Sequence, residues 1–213
     1  MKRLLVTAAA AAMTVTGLAA PAHADKGDWL FRLRAINVTP DESASIDPIG
    51  GDVDIDTSIV PELDITYFFA DNFAAELILG VTPHDVTAVD TALTDVDLGS
   101  VTLLPPTLTF QYHFNPEGRF RPYAGVGVNY TMFFNEDLPT GSPLVSIDYD
   151  ESLGLALQAG ADVAINDTWF VNFDVKKIWI NTDVTIDAGG LGMVAADVDI
   201  DPVVFGVGVG FKY

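Results

Sequence analysis

Nine charged residues recur at alternate positions within otherwise apolar segments: Arg32, Arg34, Glu62, Asp64, Glu76, Arg121, Asp162, Asp174 and Lys176. Both signs are represented, so these side chains can pair as ions wherever the fold encloses them, as an unpaired enclosed charge would require. Two readings stand for that enclosure. The charges fill and rigidify it, or they form a plug below a space left open. A second constellation is Asp52, Asp54 and Asp56, repeated as Asp197, Asp199 and Asp201 by the same D-V-D-I-D run. Three carboxylates on one side of a strand offer hard oxygen donors suited to Ca²⁺, although no EF-hand spacing is present and a solvated acidic edge has the same pattern. The third candidate chemistry is nucleophilic. His84 or His113 with Ser100 or Ser142 would supply a serine–histidine pair, yet these residues lie in separate segments, and the chain reads as non-enzymatic. The absence of cysteine excludes thiolate catalysis, cysteine metal sites and disulfides.

The elements that must position these residues are strands. About eight segments alternate with period two, each with one nearly wholly apolar face. Trp29, Phe31, Leu33 and Ala35 oppose Arg32 and Arg34, and Leu63, Ile65, Tyr67 and Phe69 oppose Glu62, Asp64 and Thr66. Phe73, Leu77 and Val81 oppose Glu76 and Ile78, and Leu108, Phe110 and Tyr112 oppose Thr109, Gln111 and His113. The same scheme recurs near 121–132, 153–163 and 171–176 and in the final run from Phe205 to Tyr213, where Gly206, Gly208 and Gly210 form the small face. Inward glycines, including those at 125, 127, 154 and 160, imply either space or tight wall curvature.

Residues 1–24 carry Lys2 and Arg3, an apolar stretch from Leu4 to Leu18 and Ala22-His23-Ala24, the pattern of a cleaved signal peptide. With these removed, eight basic residues face thirty acidic ones, a formal charge of −22. That excess excludes nucleic acid as a partner. After residue 24 no apolar run is long enough for a spanning helix, so a membrane crossing requires a closed barrel. Connections alternate between short turns (70–72, 115–118, 166–168) and longer acidic segments near 41–55, 84–100, 135–150 and 185–198. Short turns on one side and long loops on the other suit an outer-membrane barrel, and aromatic residues gather at strand ends. A soluble lipocalin-like barrel would invert the two faces, but the polar faces here lack a solubilising coat of lysine and glutamate. The expectation is an all-β, eight-stranded antiparallel transmembrane β-barrel over residues 25–213, in the outer membrane among lipids and lipopolysaccharide. Its acidic loops would bind divalent cations weakly, bridging them to lipopolysaccharide phosphates, and no other cofactor is expected.

LLPPTLTFQYHF at 103–114, FRPYAGVGVNYTMFF at 120–134, NDTWFVNFDV at 166–175 and DPVVFGVGVGFKY at 201–213 resemble the OmpW family of small outer-membrane proteins. ADNFAAELILGVTP at 70–83 is similar to that family's second turn and third strand. The resemblance implies a narrow, largely apolar lumen that passes or binds small hydrophobic molecules and releases them sideways. It places a lumen constriction at Ile78 and Lys176. Lys176 departs from the apolar residue expected there and needs a partner, Asp174 or Glu76. Phe211 and Tyr213 stand at the C-terminal signal read by the barrel-assembly machinery, with tyrosine where phenylalanine is usual. The alternative is a non-conducting structural or receptor-type surface protein acting through its acidic cation-binding loops.

Overall fold

The computed structural model describes residues 26–213, Leu93 excepted; the expected signal peptide lies outside the described residues. In chain order the strands are β1 (Trp29–Thr39), β2 (Ser43–Asp47), β3 (Asp52–Ile55), β4 (Ser58–Ala70), β5 (Phe73–Gly80), β6 (Thr82–Val89), β7 (Val96–Leu104), β8 (Thr107–His113), β9 (Phe120–Asp137), β10 (Ser146–Tyr149), β11 (Ser152–Ala164), β12 (Trp169–Ile178), β13 (Asn181–Asp187), β14 (Met193–Asp199) and β15 (Val203–Lys212). Eight of them close an antiparallel barrel in the order β1-β4-β5-β8-β9-β11-β12-β15, with β15 returning to β1. Closure is completed at the termini, where Trp29 and Tyr213 exchange backbone hydrogen bonds of 3.0 and 2.9 Å.

The short turns hold this order locally. In the β11–β12 turn the Asn166 carboxamide oxygen accepts from the amides of Thr168 and Trp169 at 2.9 and 2.8 Å, a side-chain mimic of a backbone turn. Asn72, in the β4–β5 turn, donates to the His113 carbonyl at 2.7 Å and ties that turn to β8. The outward faces are apolar: Leu33, Leu108, Val126, Leu155, Phe173 and Val207 are all exposed. Such a band is stable only against lipid. Around the turns Trp29, Tyr67, Phe73, Tyr112, Phe114, Trp169 and Phe211 form an aromatic girdle, with rings in contact such as Phe31–Phe211 at 5.1 Å and Trp169–Phe211 at 5.6 Å.

The four acidic segments expected as loops are instead largely strand. One sheet, β3-β6-β7-β9, rises from the wall, and a second, β2-β14-β13-β10, faces it. The reason is legible in their composition. Val53, Ile55, Val86, Ala88, Val184, Ile186, Ala196 and Val198 alternate with aspartate and threonine, and bury inward as one apolar cluster. The carboxylates stay outside in water, where they belong.

Candidate functional site

From the turn side upward, the lumen is layered. Leu30, Phe68, Ala74 and Phe170 form a buried apolar floor. Arg121 lies beside it, its guanidinium 5.1 Å from the Phe170 ring centre. Above the floor sits the charged layer. Arg32 grips Asp162 through two nitrogens, at 3.2 and 2.8 Å, and reaches Glu76 at 2.8 Å. Glu76 is the hub. One of its oxygens accepts from Arg32, Arg34 (3.3 Å) and Thr66 (3.1 Å), the other from Gln111 (2.6 Å) and Gln158 (2.8 Å). Arg34 also meets Glu62 at 3.0 Å and Asp64 at 3.1 Å. All these groups are buried, and the network follows from one register: Arg32 pairs with Asp64 and Arg34 with Glu62 across β1 and β4.

Lys176 finds two carboxylates, Glu62 at 2.6 Å and Asp174 at 3.1 Å. Asp174 was an expected partner; Glu62 takes the place proposed for Glu76, which the arginines occupy. Tyr123, Asn172, Gln111 and Gln158 bridge the ions, as in the 2.7 Å bond from the Tyr123 hydroxyl to Asp174. Their inward placement follows from alternation, but nothing in the sequence marks neutral residues as members of an ionic cluster. Two inward glycines show what their missing side chains admit. A Cβ at Gly160 would overlap the Tyr123 phenol, and one at Gly210 the Phe170 ring. At these two positions the space expected from glycine is real, and neighbouring side chains fill it.

Above the charges the lumen turns apolar. Ile36, Val38, Ile78, Leu103, Ile178, Ile180 and Val204 surround a void of about 30 Å³ that touches Glu62 below. Over it, the two outer sheets enclose a chamber of about 320 Å³, at the small end of ligand pockets. Ile46, Val53, Leu98, Val101, Phe133, Val184 and Val198 are among its lining. Ile78 thus lies between chamber and charges. This chamber was missed because its lining comes from the segments read as loops.

One stretch of wall near the neck is thinly paired. The β4–β5 ladder ends at Glu62–Gly80, and β3 rejoins β6 at Ile55–Val86. Between these pairs, among the described residues, two bonds cross: the Asp56 amide to the Asp85 carbonyl at 3.1 Å, and His84 Nδ1 to the Asp56 carbonyl at 2.7 Å. Pro61 and Pro83, one on each side, have no amide to contribute. Burial pushes the His84 imidazole below its ordinary pKa, against the upward pull of the Asp56 carbonyl and the Asp56 and Asp85 carboxylates.

The remaining sequence candidates do not assemble. Asp52 and Asp54 sit on β3 in one outer sheet, Asp197 and Asp199 on β14 in the other. Asp52 accepts from the Ala44 amide, Asp197 and Asp199 from the Asn181 carboxamide, and Asp201 from the Ile180 amide. Among the described residues no group of three or more histidine or acidic side chains is arranged to hold a metal ion, and Asp197 and Asp199 instead share the Asn181 carboxamide. Among the described residues neither histidine bonds to a serine: His84 meets the Asp56 carbonyl, His113 the Gln111 carboxamide, and Ser142 Oγ accepts from the Leu144 amide.

A barrel with apolar outer faces, a charged lumen and a raised apolar chamber now has counterparts. The sequence profile of the OmpW family matches residues 25–213. The chain belongs to the OmpW family. The outer-membrane protein y4mB of Sinorhizobium fredii is 43% identical over 186 residues, covering 87% of this chain and 80% of its own. The dibenzothiophene metabolism operon protein PahQ of Pseudomonas aeruginosa is 31% identical over 203 residues, covering 92% and 93%. The crystal structure of the outer-membrane protein OprG from Pseudomonas aeruginosa superposes with a TM-score of 0.84 at 33% identity, over 91% of this chain and 99% of that one. This OmpW-family protein is therefore an outer-membrane barrel, and its apolar band faces lipid.

Proposed function

We propose that the barrel is a passive entry route for small apolar solutes. They enter the outer chamber, pass the neck at Ile78 and leave sideways through the thinly paired wall between β4 and β6. The observation that carries this reading is the position of the chamber: an apolar space of about 320 Å³ set directly above a buried ionic layer. Apolar solutes gain by leaving water for such a lining, and the charges below give them no reason to continue downward. The wall between β4 and β6 beside the neck carries few hydrogen bonds, and Ile59 and Val81 at its edges are exposed on the outside of the barrel. The name of PahQ, which ties that relative to dibenzothiophene metabolism, is consistent with an apolar cargo. In this reading Ile78 sets the width of the neck, Lys176, Glu76 and Asp174 close its underside, and Arg32, Arg34, Glu62, Asp64, Arg121 and Asp162 seal the barrel. No catalytic step is involved. Phe211 and Tyr213 serve recognition by the assembly machinery.

The test is uptake of a small apolar solute into liposomes holding the refolded protein, beside empty liposomes and Ile78→Trp. An indole at Ile78 exceeds the void of about 30 Å³ at the neck and should slow uptake several-fold, while ion conductance stays at background. Uptake no faster than through empty liposomes would remove the entry-route reading and leave the surface-scaffold alternative.

A further inference from the structure

Three polar side chains line the otherwise apolar chamber: His84, Tyr149 and Thr182. Thr182 is committed, its hydroxyl donating to the Asp150 carbonyl at 2.7 Å. Tyr149 is half-buried, its ring stacked on Phe133 with the centroids 5.4 Å apart, and burial, with the Glu136 carboxylate, pushes its hydroxyl pKa up so that it stays neutral. His84 is different in place and chemistry. It lines both the chamber and the smaller void beneath, so every solute that reaches the neck passes it.

The state of the His84 ring follows from its one bond. A backbone carbonyl can only accept, so Nδ1 carries the proton in the 2.7 Å contact with Asp56. In a neutral imidazole the other nitrogen, Nε2, is then an acceptor with a free lone pair. Burial favours that neutral form. An acceptor in an apolar chamber is satisfied by water when the chamber is wet and by nothing when an alkane fills it. A solute with one hydroxyl and an apolar body satisfies both the lining and the ring.

We propose that His84 selects, among apolar solutes, those carrying a single hydrogen-bond donor, an alcohol or a phenol, by accepting the donor's proton in a hydrogen bond at Nε2. The inference rests on the entry-route reading, because it assigns a cargo class to that chamber. The discrimination is set by the net worth of one hydrogen bond over the bonds to water that it replaces and amounts to roughly three- to tenfold in affinity. It acts on solutes of equal bulk, since the apolar lining does not distinguish them.

The experiment uses the mature barrel in lipid nanodiscs, with ¹⁵N-labelled histidine and labelled chamber methyl groups, titrated with 2-naphthol and separately with naphthalene. Both solutes should shift chamber methyl resonances. Only 2-naphthol should shift the His84 Nε2 resonance, with His113 unmoved as the internal reference, and it should bind three- to tenfold tighter. In His84→Phe the two affinities should converge. If both solutes shift the methyls with equal affinity and Nε2 does not move, the inference falls while the entry route stands. If neither shifts a chamber methyl, both fall together. The measurement on the unmodified protein decides the matter even if His84→Phe folds poorly.

Discussion

Replacing Lys176 by methionine tests whether the ionic layer is a balanced structure or a collection of incidental contacts. The side chain stays unbranched, one heavy atom shorter, and loses its charge. Four buried cations (Arg32, Arg34, Arg121 and Lys176) formally face five buried carboxylates (Glu62, Asp64, Glu76, Asp162 and Asp174), an imbalance of one. Lys176→Met leaves three against five. The nearest carboxylate, Glu62, held at 2.6 Å, is then left with Arg34 alone. Removing one partner of a buried pair strands the other, at a cost of about 3–5 kcal/mol. The double variant with Glu62→Gln restores the imbalance of one, with three cations against four carboxylates. It should recover most of that loss, giving a coupling energy of about 2 kcal/mol or more. The assay is urea unfolding of the refolded barrel in lipid vesicles, followed by tryptophan fluorescence, for the wild type, both single variants and the double. A Lys176→Met protein as stable as the wild type, or strictly additive losses in the double, would refute the reasoning.

Four further outcomes can be checked on the same material. Val207→Arg places a guanidinium on the lipid face beside Ala35 and Phe173; it should cost about 2–4 kcal/mol in vesicle unfolding, and a smaller loss would argue against lipid contact there. Gly210→Ala drives a methyl into the Phe170 ring and should destabilise by about 1–3 kcal/mol, measurable as a lower unfolding midpoint. His84 has a folded pKa below its unfolded one, so its neutral form contributes stability that is complete above pH ~6.5 and declines as pH falls from there. Protection factors of β3 and β6 amides, with exchange rates corrected for their intrinsic pH dependence, should fall between pH 7 and 5, and His84→Gln should flatten that slope. Removal of divalent cations by chelator should leave the melting temperature of the detergent-solubilised protein unchanged; a drop of several degrees would restore a metal site in the acidic strands.

The barrel was legible because its two solvents impose opposite demands on alternate residues. Arg32 and Arg34 on β1 could only face inward once Phe31 and Leu33 were assigned to lipid, and the partner strand at Glu62 and Asp64 obeyed the same rule. Which ions would pair was less visible. Lys176 chose Glu62 because β12 and β4 face each other across the lumen, and that juxtaposition comes from closure of the wall, which no local spacing records. The chamber was hidden for another reason. Aspartate and glycine are poor strand formers, so D-V-D-I-D read as an acidic edge, although its valine and isoleucine already alternated. Their burial comes from the facing sheet, most of whose strands (β10, β13 and β14) lie far along the chain.

The filled lower lumen has a consequence for the cell that carries this barrel. A water-filled pore is a standing leak, and each added copy lowers the resistance of the envelope to salts, bile-like detergents and polar toxins alike. A barrel whose cross-section is occupied by Arg32, Glu76, Asp162 and their neighbours, all buried, behaves as an electrical insulator. As the proposed entry route, its copy number could rise with the supply of a solute without loosening the barrier to anything else.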